Sequence, residues 1–369
     1  MPTPDLSAKG IQAATPCAKF DTVAYDLHEP GPDDVVIAVK YCGVCHSDVH
    51  AARDEVAPGH GKFPVIPGHE IAGVVEWVGA NVTKLSAGDH AGVGCMVDSC
   101  LGCEYCDLSE EQYCDKACTW TYGSDPVHGR AGKVATRGGY SSRMVVNEHF
   151  VVKVPKELPM EFVGPILCAG ITTYDPLVHF KAGSAHVKRV GIIGGGGLGM
   201  FGIKLAKALG CEVTAITTSP SKAAALKALG ATRVVVSTDE QQMKDAARSQ
   251  DLILNTIAVA HEVMHYHPLL RPNGNIVQLG LVPQAHSVVQ LPLLGRRAGI
   301  TGSCVGGMAA TQSLVDLCAR EKIYPEVEVV PCSQVDKVYD ELLGKATNPK
   351  RFVLDIAGTM DQFYAEHHP

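Results

Sequence analysis

The sequence predicts an α/β protein of two domains, an irregular β-rich domain followed by a doubly wound six-stranded parallel sheet. From Val35 to about Val154, short apolar runs such as IAGVVEWVG and FVVKV are broken by Gly, Pro and Asp, as is typical of an irregular all-β domain. From about Val187, apolar runs alternate with helical segments, beginning VGIIGGGGLG and FGIKLAKALG, which favours a parallel sheet. A length of 369 residues also exceeds what one hydrophobic core usually supports.

The later strands and the end of the chain follow the same pattern. Apolar runs from Leu252, Asn275 and Gly299 bring the predicted parallel strands to about six. Two helical segments and the strand RFVLDI come after Gly306, and we expect them to fold back onto the first domain. The tail FYAEHHP is expected to be frayed, with no role for its histidines.

Composition excludes several classes of protein. The chain is 46% hydrophobic and 19% charged, as globular proteins are. A formal net charge of -7 without any Lys/Arg block argues against a nucleic-acid partner. The N-terminus has neither a basic nor an apolar targeting region, and no apolar stretch reaches the length of a membrane span, which predicts a cytoplasmic protein with no membrane partner.

Four cysteines at close spacing predict a structural metal site. The segment CLGCEYCDLSEEQYC gives C-x2-C-x2-C-x7-C, and four thiolates so placed can enclose one tetrahedral Zn²⁺ with no open position. Four unrelated cysteines are the alternative. A nucleic-acid-binding finger is disfavoured because the loop is acidic rather than basic. The predicted ligands of this structural zinc are Cys100, Cys103, Cys106 and Cys114.

A second set of metal ligands is dispersed along the chain. Cys45 lies in GVCHSDVH, His69 and Glu70 lie in GHE, and Cys168 lies in PILCAGITTY. A catalytic zinc takes three protein ligands and keeps one position open for water or substrate. Cys45, His69 and Cys168 fit that requirement.

The glycine-rich run after VGII predicts a dinucleotide site. Glycines between a strand and a helix allow a tight turn and close approach of the pyrophosphate to the helix N-terminus, whereas a surface loop is the alternative. The next strand ends without the Asp or Glu that would accept from the ribose of NAD; hydroxyls and a lysine stand there, which favours NADP(H). The predicted residues are Gly194, Gly195, Gly196, Gly197, Leu198, Gly199, Thr217, Thr218, Ser219 and Lys222.

Taken in order, these motifs resemble those of the zinc-containing medium-chain alcohol dehydrogenases, and within them the NADP-dependent cinnamyl-alcohol-dehydrogenase branch. The resemblance runs from about Asp33 to Ile356 and is carried by GVCHSD, PGHE, the four cysteines, LCAGIT, GGGGLG, TTSPSK, NT, GSCVGG and RFVLD. It implies a GroES-like catalytic zinc domain in residues 1–170, a Rossmann cofactor domain in residues 171–306, and a return to the catalytic domain in residues 307–369.

The resemblance also implies roles for single residues. Glu70 would be a neighbour of the catalytic zinc that exchanges with bound water, and Asp48 would orient the zinc-bound histidine. Ser47 would contact the substrate oxygen and the coenzyme ribose and pass a proton toward His50. From the residues alone, Asp48 is a helix N-cap and His50 a surface histidine. The nicotinamide half would be lined by Thr172, Thr256, Gly280, Ser303, Cys304 and Val305.

The function that follows is a zinc-dependent alcohol dehydrogenase or aldehyde reductase. It would transfer hydride between NADP(H) and a primary alcohol or aldehyde, with the aromatic or cinnamyl type as one candidate, and hold two Zn²⁺ per chain as a homodimer. The alternatives are a polyol dehydrogenase, in which a glutamate commonly replaces Cys168, a zinc-free quinone or enone reductase, and a non-catalytic redox or zinc-sensing protein. Trp120 is either a substrate-pocket residue or a core residue.

Overall fold

A computed structural model describes residues 3–55, 59, 61–282, 284–344 and 351–368. The strands are β1 (Ser7–Ala13), β2 (Phe20–Asp26), β3 (Asp34–Gly43), β4 (Glu70–Val78), β5 (His90–Val93), β6 (Met96–Asp98), β7 (Thr119–Trp120), β8 (Arg143–Asn147), β9 (Val151–Val154), β10 (Arg189–Ile193), β11 (Glu212–Thr217), β12 (Arg233–Val236), β13 (Gln250–Asn255), β14 (Leu270–Gln278), β15 (Gly299–Gly302), β16 (Val327–Pro331) and β17 (Arg351–Asp355).

The α-helices are α1 (His46–Ala52), α2 (Glu104–Asp107), α3 (Met160–Pro165), α4 (Ile171–His179), α5 (Gly197–Ala208), α6 (Ala223–Ala228), α7 (Glu240–Asp245), α8 (Gln290–Leu294), α9 (Met308–Glu321), α10 (Val335–Leu343) and α11 (Ile356–His367). Segments of 3₁₀ helix occur at Glu111–Tyr113, Glu148–Phe150, Pro220–Lys222, Val263–Leu269 and Cys332–Gln334, and a π-helical turn occurs at Ile166–Gly170.

The chain divides into two compact units, and the first is built from two separate segments, Met1–Cys168 and Gly307–Pro369. Its main sheet has the strand order β16-β17-β3-β4-β5-β9, with β8 also paired to β3. Strand β3 is almost entirely buried because its run of Val, Ile and Ala packs on both faces. Strands β17 and β3 pair antiparallel, so the end of the chain completes the sheet that begins near its start.

The second unit is the continuous segment Ala169–Gly306. Its six strands are all parallel and lie in the order β12-β11-β10-β13-β14-β15. This is a doubly wound order, in which the third strand of this unit, β12, forms one edge of the sheet and the sixth, β15, forms the other. The expected α/β fold of an irregular β-rich domain and a six-stranded Rossmann sheet is therefore confirmed.

Two expectations from the sequence need correction. The tail is helical rather than frayed, since α11 extends to His367 and His368 Nε2 lies 3.0 Å from the carbonyl oxygen of Thr22. Trp120 is 39% exposed, so it is not a core residue. Within the described part of the chain, every helix is too short or too polar to cross a membrane.

Candidate active site and metal centres

Three structural elements of the first unit bring the dispersed metal-ligand candidates together. Cys45 is the N-cap of α1, His69 directly precedes β4, and Cys168 lies in the π-helical turn. Single π-helical turns are rare and are frequently found at functional sites. One potential ligand atom from each of these three residues and from Glu70 lies within 4.8 Å of the other three.

The distances inside this cluster suit a metal ion. Cys45 Sγ lies 3.7 Å from Cys168 Sγ, and Cys168 Sγ lies 3.2 Å from His69 Nε2. A tetrahedral zinc with Zn–S bonds of about 2.3 Å needs sulfur atoms about 3.8 Å apart. The hydrogen bond shared with Cys168 lowers the pKa of Cys45 well below that of an ordinary thiol, which favours the thiolate that a metal requires.

Asp48 holds both the local backbone and the histidine of this cluster. Its Oδ2 accepts from the Cys45 N–H at 2.8 Å, and its Oδ1 accepts from the Gly68 N–H at 3.1 Å. Oδ1 also lies 3.0 Å from His69 Nδ1. The reading of Asp48 as the helix N-cap is wrong, because the N-cap is Cys45 and Asp48 is the third residue of α1. The same fully buried carboxylate makes the capping-box contact with Cys45 and the predicted contact with the histidine.

Glu70 is a buried carboxylate beside the cluster. Its Oε1 lies 3.4 Å from Arg351 Nη1 in an ion pair, yet neither oxygen has a hydrogen-bond partner among the described residues. Burial raises the pKa of Glu70 to about 7, with the charge of Arg351 opposing the rise. A buried carboxylate without hydrogen bonds, next to thiols and an imidazole, fits a position beside a cation.

The predicted relay residues follow Cys45 on α1. Ser47 is exposed, with its Oγ 3.7 Å from Cys45 Sγ. His50 Nδ1 lies 2.8 Å from Glu55 Oε2, and the other oxygen of Glu55 accepts from Arg53 Nε at 2.5 Å. Glu55 is a functional candidate that the sequence analysis missed, because its approach to His50 depends on the turn that ends α1.

The four-cysteine lobe, residues Cys100–Cys114, contains the second cluster that could hold a metal ion. Cys103 Sγ lies 3.6 Å from Cys106 Sγ and 4.0 Å from Cys114 Sγ, and Cys100 Sγ lies 3.9 Å from Cys106 Sγ. These separations match the edges of a zinc–sulfur tetrahedron. Backbone hydrogen bonds at Cys106 and Asp115 lower the pKa of Cys103 to about 6. All fourteen cysteines lie in the described part of the chain, and none of them forms a disulfide.

The predicted glycine-rich turn lies in the second unit, between β10 and α5. Gly194 has a φ of +104°, a left-handed conformation that favours glycine. A Cβ on Gly199 would lie 2.0 Å from the carbonyl oxygen of Gly194, so only glycine permits this packing of the helix on the turn. Beside Gly196 there is open space, as a ligand that approaches the backbone would need.

The end of β11 provides hydroxyl groups and a lysine. Strand β11 ends at Thr217, and Thr218 and Lys222 are exposed. Lys222 Nζ donates to the carbonyl oxygen of Gly195 at 3.2 Å, which places the ammonium group over the glycine-rich turn. Ser219 Oγ and Ser221 Oγ are 2.8 Å apart, and Ser221 is a hydroxyl that the sequence analysis did not single out.

The remaining predicted coenzyme residues also belong to the second unit. Thr256 Oγ1 donates to the carbonyl oxygen of Ile193 at the end of β10. A Cβ on Gly280 would lie 2.0 Å from the carbonyl oxygen of Ile257, so the chain is tightly packed there. Val305 has a φ of +45°, which is rare for a β-branched residue. Thr172 lies in α4, and Ser303 and Cys304 follow β15.

Comparisons with known proteins agree with this arrangement. The family model described as "Alcohol dehydrogenase GroES-like domain" matches residues 31–156, and the one described as "Zinc-binding dehydrogenase" matches residues 197–320. The first model covers both cysteine-containing motifs that precede Cys168, and the second covers most of the parallel-sheet unit.

Similarity extends over nearly the whole chain. A probable cinnamyl alcohol dehydrogenase from Pinus taeda is 42% identical, over 96% of this chain and 97% of the relative. Among solved structures, a cinnamyl alcohol dehydrogenase from Sorghum bicolor is 36% identical with a TM-score of 0.89, covering 96% of this chain and 98% of the other. A Helicobacter pylori structure, named as a complex with NADP(H), is 34% identical with a TM-score of 0.86, covering 96% and 99%. The polyol-dehydrogenase and non-catalytic alternatives are not favoured by these relatives. The chain therefore belongs to the zinc-containing alcohol dehydrogenases, in their cinnamyl-alcohol-dehydrogenase-like branch.

Proposed function

We propose that this alcohol dehydrogenase uses NADP(H) to interconvert a primary alcohol and its aldehyde, with one catalytic and one structural Zn²⁺ in each chain. The observation that carries the proposal is the buried set of two thiols and an imidazole at Cys45, Cys168 and His69, joined by a carboxylate at Glu70. Three such ligands with room for a fourth are typical of catalytic zinc, whereas the four thiols of the four-cysteine lobe are typical of structural zinc.

Each residue in and around the first cluster, which consists of Cys45, His69, Glu70 and Cys168, would have a separate role. When bound, zinc polarises the substrate oxygen and the nicotinamide accepts or delivers the hydride. Cys45, His69 and Cys168 would hold the metal, and Asp48 would fix the ring of His69. Ser47 would hydrogen-bond the substrate oxygen.

Beyond Ser47, His50 would take up or release the proton. Glu55, whose Oε2 lies 2.8 Å from His50 Nδ1, would stabilise the protonated imidazole. Ser47, His50 and Glu55 lie within nine residues of sequence, at the start and just beyond the end of α1.

The preference for NADP(H) is supported by the end of β11. A 2'-phosphate would find exposed hydroxyls at Thr218 and Ser221 and an ammonium group at Lys222, whereas a carboxylate there would repel it. The relative from Helicobacter pylori was solved with NADP(H), which agrees with this preference.

The test is a coenzyme and substrate assay on the purified holoenzyme. NADPH and NADH oxidation would be followed with aliphatic, aromatic and cinnamyl-type aldehydes, with and without a zinc chelator. We expect NADPH turnover that is lost on chelation. Lys222→Ala should raise the KM for NADPH by about tenfold, the order expected when a charge-assisted hydrogen bond is lost, and leave that for NADH nearly unchanged. Turnover with NADH alone would overturn the coenzyme assignment, and silence with both would overturn the enzyme assignment.

We propose further that the protein is a homodimer that pairs through β15. This strand is an edge of the parallel sheet, and its last two residues are exposed. Nearby on α8, Leu291 and Leu294 are each 77% exposed, which is unusual for leucine on a surface that meets only water. Light scattering should give twice the chain mass, and L291E/L294E should give the monomer mass. A monomeric wild-type protein would contradict this assignment.

A further inference from the structure

Glu111 is a buried carboxylate with two partners from distant parts of the first unit. It lies between the third and fourth cysteines of the four-cysteine lobe and has no exposed surface. Its Oε1 lies 2.6 Å from His149 Nε2, and its Oε2 accepts from the backbone N–H of Met308 at 2.9 Å. Burial acts to raise the pKa of Glu111, yet these two hydrogen bonds hold it below its ordinary value.

Met308 is the first residue of α9, and Glu111 supplies the cap that this helix otherwise lacks. The first N–H groups of any helix have no partner within it, and an adjacent side chain usually accepts from them. Here the N-cap is Gly307, which has no side chain. A carboxylate at this end of a 14-residue helix is also favoured by the helix dipole.

The backbone of the four-cysteine lobe packs directly against the same point. A Cβ on Gly307 would lie 1.7 Å from the carbonyl oxygen of Ser109, so no other residue fits without displacing the lobe. The start of α9 is therefore fixed twice by the lobe, through a hydrogen bond from Met308 and through the close approach at Gly307.

The segment that ends at this point is short and strained. Only residues 303–307 connect β15 to α9, and Val305 among them has a left-handed φ of +45°. Such a conformation is unfavourable for a β-branched residue and persists only when the surrounding structure imposes it. The segment therefore begins directly at the end of β15 and ends at the point that Glu111 and Ser109 contact.

We infer that Glu111 is a positioning residue for the coenzyme: by capping α9, it fixes the end of residues 303–307 and so links the four-cysteine lobe to coenzyme affinity. The inference rests on the proposed function and on the expectation from the family resemblance that Ser303, Cys304 and Val305 border the nicotinamide. It gives the four-cysteine lobe a part in coenzyme binding in addition to its part in stability.

The test measures the dissociation constant of NADPH by fluorescence, together with zinc content, for the holoenzyme and two matched pairs of variants. Glu111→Ala removes the acceptor for Met308, whereas Glu111→Gln keeps an oxygen that can accept from it. Met308→Pro removes the donor at a helix position where proline is otherwise well tolerated, and Met308→Ala keeps that donor. His149→Ala removes the other partner of Glu111 and leaves Met308 in place.

We expect Glu111→Ala and Met308→Pro to raise the dissociation constant about tenfold, while zinc content stays at the wild-type value. Glu111→Gln, Met308→Ala and His149→Ala should stay within about threefold. If Glu111→Ala does not fold, the pair at Met308 decides between the outcomes. Unchanged NADPH affinity in folded Glu111→Ala or Met308→Pro, or a loss of affinity that parallels loss of zinc, would overturn the inference. A wild-type protein that binds neither NADPH nor NADH would instead overturn the proposed function.

Discussion

Asp48 Oδ1 lies 3.0 Å from Nδ1 of His69, while Nε2 on the other side of the same ring lies 3.2 Å from Cys168 Sγ. The carboxylate therefore selects the tautomer in which Nδ1 carries the proton and Nε2 presents its lone pair to the cluster. The orientation of the His69 ring therefore depends on one hydrogen bond with Asp48.

Replacement of Asp48 by asparagine should weaken zinc binding at the first cluster. The amide can still accept from the Cys45 N–H, but its NH₂ group cannot accept from His69, so the ring loses its orientation. We expect a 10- to 100-fold lower zinc affinity, of the order seen when such partners of metal ligands are removed. Competition with a chromogenic chelator measures it. Asp89→Asn, which weakens an ion pair with Lys153 outside the cluster and can keep its hydrogen bond from the Ser86 N–H, is the control. Equal affinities in the two variants would contradict the role of Asp48.

Removal of the Glu55 carboxylate should change the pH dependence of alcohol oxidation. Glu55 Oε2 lies 2.8 Å from His50 Nδ1 and would favour uptake of the transferred proton there, so Glu55→Gln should slow alcohol oxidation and move the acid limb of its kcat/KM to lower pH. The rate should fall by roughly tenfold, below the 10²–10⁴ range of a lost acid–base group because His50 itself remains. Arg53→Gln keeps the contact between Glu55 and His50 and should leave the limb in place. A pH profile that is unchanged in Glu55→Gln would rule out this relay.

Replacement of Arg130, in the loop of residues 124–137, should lower the free energy of unfolding. Arg130 Nε donates to Oδ1 of the fully buried Asp98 at 2.9 Å, and Arg130 also hydrogen-bonds the carbonyl oxygen of Ser99. Arg130→Met leaves a buried carboxylate without its charged partner. The guanidinium is partly exposed, so we expect a loss of about 2 kcal/mol, below the range for fully buried pairs. Chemical denaturation measures it, and the double variant Asp98→Asn/Arg130→Met should be less destabilised than the sum of the two single variants.

His28 should make the folded state sensitive to mild acid. Burial lowers the pKa of His28, with Asp34 opposing the shift, so the unfolded chain binds a proton more readily than the folded one. The stability due to neutral His28 is present above a pH of about 6.5 and is lost as the pH falls toward the lower folded value. The difference in Tm between wild type and His28→Gln should therefore shrink from pH 7.5 to pH 5.5. A difference that is constant over this range would contradict the prediction.

The sequence predicts well those structural features that depend only on residues close together along the chain. The six parallel strands each appear as an apolar run, and the glycine-rich turn lies directly between β10 and α5. The four cysteines of the four-cysteine lobe meet because only a few residues separate them. In each case a local backbone conformation is enough to bring the groups together.

The parts that escaped prediction depend on contacts between distant residues. Glu111 is one of several acidic residues in the four-cysteine lobe. Its buried carboxylate accepts a hydrogen bond from the backbone N–H of Met308, 197 residues further along the chain. Arg351 meets Glu70 for the same kind of reason. Nothing in the neighbouring residues distinguishes such side chains from solvated ones, because the partner is set by the sheet topology of the whole unit.

The two-segment construction of the first unit has a consequence for the order in which the protein matures. During synthesis the ribosome releases every cysteine of both clusters before it has made β16 and β17. At that stage β3 lacks its neighbour β17, and Glu70 lacks the cation of Arg351. The second unit, a single continuous segment, can by contrast be completed while the first is still missing its final strands. The cluster of Cys45, His69, Glu70 and Cys168 is thus made well before the cation that completes its electrostatic environment.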